Sequence, residues 1–292
     1  MTSPIRYTIQ AVHPAAHLFE VSLHLDDPDP AGQVLSLPAW IPGSYMIREF
    51  ARNIVRFSAM AGGRTLEVRR HDKHTWQLPA GINGPVTVNY TVYARDLSVR
   101  TAHLDQTHGF FNGTSVFLCA RGREGRAHLV DIRPPAGMED AGWRVATSLP
   151  EAEGEDGAAE RYGFGLYRAP DYDALIDHPV EMGRFNLAEF DACGVPHAVA
   201  ITGRHDCDML RLVEDLQPLC EAQIRLFGEP LRLPTGPLQA DARLRVRALR
   251  TDAPDGQAWL TAEGQGMLDR LFDGRLAGLV AQIQSVLSKI GL

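Results

Sequence analysis

The feature of this sequence that most limits its fold is a strict alternation of apolar and polar residues in short runs. In the run 17–25 the large apolar residues Phe19, Val21, Leu23 and Leu25 alternate with polar ones, and the run 86–90 repeats the pattern. A period of two predicts β-strands with one buried face. Glycine and proline interrupt these runs every few residues, which favours many short antiparallel strands over β-α-β units. The sequence therefore predicts a mainly β N-terminal domain, an antiparallel sandwich or saddle, over residues 1–184.

The pattern becomes helical near residue 206. Asp206 or Asp208 is placed to cap a helix whose apolar residues recur at intervals of three and four as far as the Gly228–Pro230 turn. Pro218 lies inside this run and is expected to kink the helix or to break it in two. We therefore predict a small helical region over residues 185–230 and an α+β chain overall.

The last 62 residues give two weaker predictions. Residues 231–256 contain few large apolar side chains, and we interpret them as an irregular linker. From Gln257 onward the apolar residues are spaced as in an amphipathic helix, which we predict over residues 257–292. Steps of four and three also suit a helix that pairs with a second copy. Because only about three heptads are present, a helix that covers its own domain is favoured over a homo-oligomer.

Charge and composition exclude several classes of function. The chain has 29 Lys and Arg against 36 Asp and Glu, a formal net charge of −7, and we expect no nucleic-acid binding. No stretch reaches the ~18 consecutive apolar residues of a membrane helix, and the N-terminus lacks an apolar signal segment. The four cysteines are scattered, which is typical of a reduced protein. We predict a cytoplasmic protein with no membrane partner.

Five motifs occur in one order along the chain and carry a family resemblance. They are LPAWIPGSYMIREFARNI (37–54), RTAHLDQTHGFFNGTSVFL (100–118), GWRVATSLP (142–150), LIDHPVEMGRF (175–185) and CEAQIRLFGEP (220–230). Together they resemble the N-terminal domain and the start of the catalytic domain of the glycyl aminopeptidase family. Members of that family are zinc metallopeptidases that typically also carry a PDZ domain.

The resemblance implies a β-rich N-terminal domain followed by a thermolysin-like helical domain that begins near residues 185–206. The second domain would hold zinc through an HExxH motif and a downstream glutamate. This sequence contains no HExxH, no histidine after His205 and no PDZ-like stretch. Residues 185–230 are therefore predicted to be the start of a truncated catalytic-type domain. We expect no catalytic residue, metal ligand or cofactor in this chain, although intact family members hold zinc.

Other groups of reactive side chains give weaker signals. His103 and Asp105 would share one face of a strand, with His108 beyond a turn at 107–109, and could hold a metal ion. Hydrogen bonds that pin the edge of a loop are the favoured interpretation of these three residues. Ser44 and the cysteines Cys119, Cys193 and Cys220 are candidate nucleophiles, but the cysteines fit better as small core residues. His197 and His205 are expected to flank a strand without meeting.

Four residues are candidates for a peptide cleft or a domain interface: Tyr45, Arg48, Arg52 and Glu181. An arginine beside the Pro42–Tyr45 turn could grip a peptide carboxylate. Ion pairing of Arg48 and Arg52 across a domain interface is the favoured alternative. Glu181 could either hold the junction between domains or point into the cleft.

The sequence therefore favours a truncated or non-catalytic homologue of a glycyl aminopeptidase. Its β-domain would wall a peptide cleft or dock a partner protein. One version of this hypothesis is a disrupted gene whose tail is read in another frame after Pro230. Two alternatives stay open: an active peptidase or other hydrolase with a relocated site, and an assembly protein that pairs through its C-terminal helix.

Overall fold

The computed structural model describes residues 3–41, 46–138 and 141–226, and β-strands make up most of them. In chain order the strands are β1 Ile5–His13, β2 Leu18–Leu25, β3 Val34–Ser36, β4 Ile54–Ala61, β5 Arg64–Thr65, β6 Arg69–Arg70, β7 Thr75–Gln77, β8 Val86–Tyr93, β9 Ala102–Leu104, β10 His108–Phe111, β11 Cys119–Ala120, β12 His128–Arg133, β13 Arg144–Thr147, β14 Gly165–Ala169, β15 Val180–Gly183, β16 Phe185–Ala192 and β17 Val195–Thr202. The α-helices are α1 Tyr172–Ile176 and α2 Met209–Leu226, and 3-10 turns cover Pro14–Ala16, Phe50–Asn53 and Gly113–Ser115.

A seven-stranded sheet forms one layer of the domain, with the strand order β14-β12-β1-β2-β8-β4-β5. All of its strand pairs are antiparallel except β1 with β12, which run parallel. The predicted mainly β class is confirmed, and the sheet differs from the prediction at this one pair. Parallel neighbouring strands need a long connection between them. Here the chain between the end of β1 at His13 and the start of β12 at His128 forms that connection.

Two four-stranded sheets pack on the inner face of the large sheet, with the orders β13-β15-β10-β9 and β11-β3-β7-β6. Phe19 of β2 meets Phe111 of β10 edge to face, with ring centroids 5.8 Å apart. Phe57 of β4 stacks on Trp76 of β7 at 5.1 Å. The three sheets therefore share one core, and the arrangement is the predicted sandwich.

Burial along the strands follows the alternation in the sequence. Phe19, Val21, Leu23 and Leu25 of β2 are at most 2% exposed, whereas the residues between them face outward. Val86, Val88 and Tyr90 of β8 are buried in the same way. Each fully buried side chain of this size contributes roughly 1.5–3 kcal/mol through the hydrophobic effect, so the alternation determines which face of each strand turns inward.

Three buried tyrosines hold the irregular segment 116–118 inside the core. The hydroxyl groups of Tyr90, Tyr7 and Tyr172 donate to the carbonyl oxygens of residues 116, 118 and 117 at 2.8, 2.7 and 2.7 Å. The amide of residue 118 donates in turn to the Tyr90 hydroxyl at 3.2 Å. A buried backbone without these partners would carry unsatisfied polar groups. The tyrosines therefore allow a segment that belongs to no sheet to cross the interior.

The helical region differs in detail from the prediction. The Asp208 side chain accepts from the amides of Leu210 and Arg211 at 3.1 and 3.2 Å, so the predicted cap is formed. The helix α2 runs through Pro218 as one element of 18 residues, and a break at that residue is therefore wrong. Ahead of α2, the strands β16 and β17 form a two-stranded sheet of their own.

The chain divides into two compact units, Met1–Ala222 and Gln223–Leu292. The predicted linker over 231–256 and the predicted helix over 257–292 lie outside the described residues. The predicted domain boundaries after residues 184, 230 and 256 stay predictions. Within the described ranges, neither helix is long and apolar enough to cross a membrane.

Candidate functional site

The candidate residues fall into two separate parts of the β-domain. Tyr45 and Ser44 lie outside the described residues. Arg48 precedes the 3-10 turn Phe50–Asn53, which contains Arg52, at the entry to β4. Glu181 lies in β15, between β10 and β13 of a different sheet. No contact recorded among the described residues joins the two arginines to Glu181, so we treat them as two surfaces.

The first surface is a loop closed by one backbone hydrogen bond. The amide of Arg48 donates to the carbonyl of Ala39 at 2.6 Å, which brings the two ends of the loop together. Trp40, Met46 and Ile47 within it are 50%, 62% and 76% exposed. The Nε of Arg48 is buried and has no hydrogen-bond partner. The loop thus sets a desolvated guanidinium nitrogen beside exposed apolar side chains.

The second surface is a cluster of His103, Asp105 and His108 at the end of the β9–β10 hairpin. His103 lies in β9, Asp105 follows that strand, and His108 opens β10. The turn is formed by residues 106 and 107, earlier than the predicted 107–109, and Asp105 donates its amide to the carbonyl of His108 at 2.9 Å. His108 is therefore directly across the hairpin from Asp105, and all three side chains leave the same face of the sheet.

Hydrogen bonds hold the Asp105 carboxylate in place. Its Oδ1 accepts from the amide of Thr107 at 2.7 Å, the Thr107 hydroxyl at 2.6 Å and the amide of His108 at 3.0 Å. Its Oδ2 lies 3.2 Å from Nε2 of His103. Burial opposes ionisation, but these hydrogen bonds outweigh it and hold the pKa of Asp105 well below its ordinary value. The predicted pinning of the loop edge is thus present.

The two histidines share the single carboxylate. Their ring centroids are 4.8 Å apart, and Nδ1 of His108 lies 3.6 Å from Oδ1 of Asp105. Burial lowers the pKa of His108, against the opposing effect of Asp105. The Nδ1 of His103 is buried and without a hydrogen-bond partner. Two imidazoles beside a fixed carboxylate are groups that can coordinate a metal ion.

Glu181 projects from the same face of this sheet, because it pairs with Phe110 in the register that pairs Phe110 with His103. Its carboxylate accepts from the Thr202 hydroxyl at 2.7 Å. Burial raises the pKa of Glu181 to about 7, and the charge of Asp105 adds to the shift. Thr202 ends β17, so this contact ties the β16–β17 hairpin to the β-domain. Both roles given for Glu181, at a junction or in a cleft, stay predictions.

We expect the variant Glu181→Gln to change the pH dependence of stability. The native carboxyl binds its proton more tightly than the unfolded one, whose pKa is near 4.5. Stability from this group is complete below about pH 4.5 and is lost as the pH rises through about 7. Glutamine keeps an acceptor for Thr202 and cannot ionise. Chemical denaturation should therefore show that the free energy of unfolding of the variant rises relative to that of the parent by about 1–2 kcal/mol between pH 5 and pH 8.

The exposed Glu20 provides the control, because Glu20→Gln removes a carboxylate from the outer face of the large sheet. The difference in free energy of unfolding between Glu20→Gln and the parent should stay constant over the same pH range. A flat difference for Glu181→Gln as well would show that the native carboxyl of Glu181 is ionised throughout.

The other candidates do not converge. Cys119 is buried, and burial raises the pKa of its thiol to about 12, so its thiolate is not available as a nucleophile at neutral pH. His197 bonds to the carbonyl of Val195 and stacks on Phe190. Nε2 of His205 lies 2.8 Å from the side-chain nitrogen Nδ2 of Asn186. His197 lies within β17 and His205 follows that strand, so the predicted flanking position is wrong for His197. The two histidines have separate partners.

Comparison with known proteins identifies the family of the β-domain. Residues 6–184, which hold the three sheets of the sandwich, match the family model described as the Peptidase M61 N-terminal domain. The chain belongs to this family. A comparison with the curated proteins finds no match.

A solved structure matches as well. It is the crystal structure of an aminopeptidase N family protein from Idiomarina loihiensis, 42% identical in sequence, with a TM-score of 0.71. The match covers 78% of this chain and 38% of that one, so this chain spans well under half the length of its solved relative. The peptidase-family relationship predicted from the five motifs is confirmed.

The zinc of the related metallopeptidases does not fit the residues that would have to hold it. Two histidines one helical turn apart with a glutamate between them are needed. The sequence has no HExxH, and α2 carries no histidine. Within the described residues, the group able to hold a metal ion is His103, Asp105 and His108, on a hairpin of the β-domain.

Proposed function

We propose that this chain is a non-catalytic β-domain of the peptidase family that binds the carboxylate end of a peptide. The observation that carries the proposal is the loop 39–48. There the buried Nε of Arg48 has no hydrogen-bond partner, and Trp40, Met46 and Ile47 are exposed beside it. A desolvated guanidinium nitrogen without an acceptor costs free energy of the order of 1–3 kcal/mol. A ligand that supplies the acceptor would recover that cost.

The chemistry of the loop suits a peptide with a free carboxylate and a large apolar side chain. Arginine binds carboxylates through two parallel N–H···O bonds, which are stronger than bonds between neutral groups. Exposed aromatic and sulfur-containing side chains supply the apolar contact that fixes orientation. Arg52 is exposed on the next turn of the chain and adds a second positive charge.

The proposal of binding without hydrolysis is supported by the absence of the HExxH motif from this sequence. Peptide hydrolysis needs an activated water and a group that stabilises the developing negative charge. Related metallopeptidases are expected to supply both through zinc and the HExxH glutamate, which this sequence lacks. A partner protein that docks on the same loop is the alternative occupant of this surface.

The test is fluorescence anisotropy with labelled hexapeptides that end in leucine, either as the free carboxylate or as the amide. We expect the free acid to bind the parent protein and the amide to bind at least about tenfold more weakly, a difference of 1.4 kcal/mol. Arg48→Gln should lower the affinity for the free-acid peptide to that for the amide peptide. Arg64→Gln, a change of an exposed arginine on β5, should leave both affinities unchanged. Equal binding of acid and amide, or no binding of either, would contradict the proposal.

A relocated hydrolytic site is the second candidate, and the cluster of His103, Asp105 and His108 with Glu181 on the same face favours it. Glu181, with a pKa of about 7, could act as a general base near neutral pH. Turnover of glycyl and alanyl anilides by the protein with one equivalent of zinc separates the two proposals. Turnover that disappears in His108→Gln would establish hydrolysis, and its absence in the parent would favour the binding role.

An assembly role through residues 257–292 stays a prediction, because those residues lie outside the described ranges. Analytical ultracentrifugation of the full chain and of a chain that ends before Gln257 tests it. An unchanged mass in solution would exclude pairing through that segment.

A further inference from the structure

We propose that His103, Asp105 and His108 form a site for one divalent transition-metal ion at the β9–β10 turn. The site goes beyond the peptide-binding role proposed above. The sequence pattern alone favoured a hydrogen-bonded loop edge for these residues. Three features of the geometry lead us to a metal site in addition.

The first feature is the spacing of the ligand atoms. One nitrogen from each histidine and one carboxylate oxygen lie within 4.8 Å of one another. The His103 Nε2 to Asp105 Oδ2 distance is 3.2 Å. Metal–ligand bonds of about 2.0–2.1 Å place neighbouring ligands of a tetrahedral ion about 3.4 Å apart. His103 and Asp105 are thus already at this spacing, and the ligand atom of His108 lies within 4.8 Å of both, so a side-chain rotation of His108 completes the triangle.

The second feature is the fixed orientation of the carboxylate. Oδ1 of Asp105 accepts three hydrogen bonds from the turn, two from Thr107 and one from the amide of His108. Oδ2 faces His103 and receives none of these three. Partners that orient a ligating carboxylate raise metal affinity, because the ligand then needs no reorganisation. The turn thus performs this orienting role before any ion binds.

The third feature is the hydrogen bonding of the two imidazoles, in which Nδ1 of His108 lies 3.1 Å from the Thr107 hydroxyl whereas His103 has an unpartnered nitrogen. The side chains of His103 and His108 are 13% and 17% exposed, so water has little access to them. The Nδ1 of His103 is buried without a partner, and the ring has one recorded hydrogen bond, to Asp105. An ion between the rings accepts a lone pair from each histidine and neutralises the charge of Asp105.

The donor set determines the class of ion. Two imidazoles and one carboxylate suit zinc, cobalt, nickel and copper, whereas magnesium and calcium prefer oxygen ligands alone. Three protein ligands leave at least one position for water or another ligand. The ion would link β9 to β10, so its binding should stabilise the hairpin and, through it, the folded domain.

The experiment is a titration of the full chain with cobalt and with zinc, followed by visible absorption for cobalt and by calorimetry for zinc. The parent should bind one equivalent of metal ion at this site. In His108→Gln and Asp105→Asn the affinity for that equivalent should fall at least about tenfold. Asp105→Asn keeps the Oδ1 acceptor for the turn, so it separates loss of the ligand charge from loss of the fold. Thermal melting should show a zinc-dependent rise in Tm for the parent that both variants lack.

His74→Gln is the matched control, because His74 and Asp72 form an exposed pair with a separation of 3.7 Å and no third ligand. It should bind both metals as the parent does. Parent-like stoichiometry and affinity in His108→Gln and Asp105→Asn would overturn the site, and so would an equal loss in His74→Gln. Near-ultraviolet circular dichroism without metal checks that each variant is folded. Peptide binding through Arg48 is measured separately, so failure of one proposal leaves the other intact.

Discussion

Replacing Phe111 with alanine should lower the free energy of unfolding by about 3–5 kcal/mol. Phe111 is fully buried in β10, and its ring contacts Phe19 of the large sheet and Phe117 of the tyrosine-held segment edge to face, at 5.8 and 5.6 Å. Alanine would leave a cavity between two sheets at a point where neither backbone can move inward, because each is fixed by its ladder. Urea denaturation measures the loss as a lower midpoint with an unchanged slope.

Phe110 gives a control of the same residue type one position earlier. It points to the opposite face of the sheet and is half-buried, so Phe110→Ala removes the same atoms without opening a cavity between the sheets. We expect a cost of about 1 kcal/mol or less. Equal losses in the two variants would mean that Phe111 does not join the sheets in the way described.

This pair of neighbours also shows why so much of the β-domain could be predicted from sequence. Alternation along β2 and β8 identifies the inward residues, since a strand buried on one face has no other way to place them. The alternation does not predict which strands pair with each other. The parallel pairing of β1 with β12 joins residues more than 120 positions apart, and no local pattern encodes it.

The tyrosine contacts are hidden from the sequence for the same reason. Tyr7 bonds to a carbonyl 111 residues away, and Tyr172 to one 55 residues away. Each tyrosine looks like an ordinary apolar core residue until its hydroxyl partner is known. The signal that could have been used is the apolar run 116–118, which has no alternation and follows a Gly-Thr-Ser turn. A buried run that is not a strand needs side-chain partners for its backbone.

The candidate sites were predictable in part. A shared face for His103 and Asp105 follows from their spacing of two, but the position of His108 depends on a turn that forms at 106 and 107. A turn shifted by one residue would have put His108 on the other face. Glu181 joins this face only through the pairing of β15 with β10. The motif shows that apolar residues lie near Arg48 in the sequence, but it does not show that their side chains are exposed.

Gly113→Ala should cost about 3 kcal/mol or more, although it adds a single methyl group. Gly113 opens the 3-10 turn in the FFNGTS motif, and a Cβ placed there would lie 2.7 Å from Cα of Ile176 and 3.0 Å from the carbonyl oxygen of Leu175. Both are backbone atoms of α1, which Asp171 caps and Tyr172 anchors through its hydroxyl. The neighbour therefore cannot move aside as a side chain would, and α1 must separate from the turn.

The matched control for this variant is Gly125→Ala. A Cβ at Gly125 meets nothing within 4 Å, and its backbone conformation is one that alanine can adopt. That substitution should be neutral or slightly stabilising, because alanine reduces the freedom of the unfolded chain. Thermal melting of both variants gives the comparison: a large drop in Tm for Gly113→Ala alone places the constraint in the contact with α1. A drop of similar size in Gly125→Ala would instead assign the cost to loss of glycine as such, and the close approach of the two backbones would not explain why the motif contains glycine.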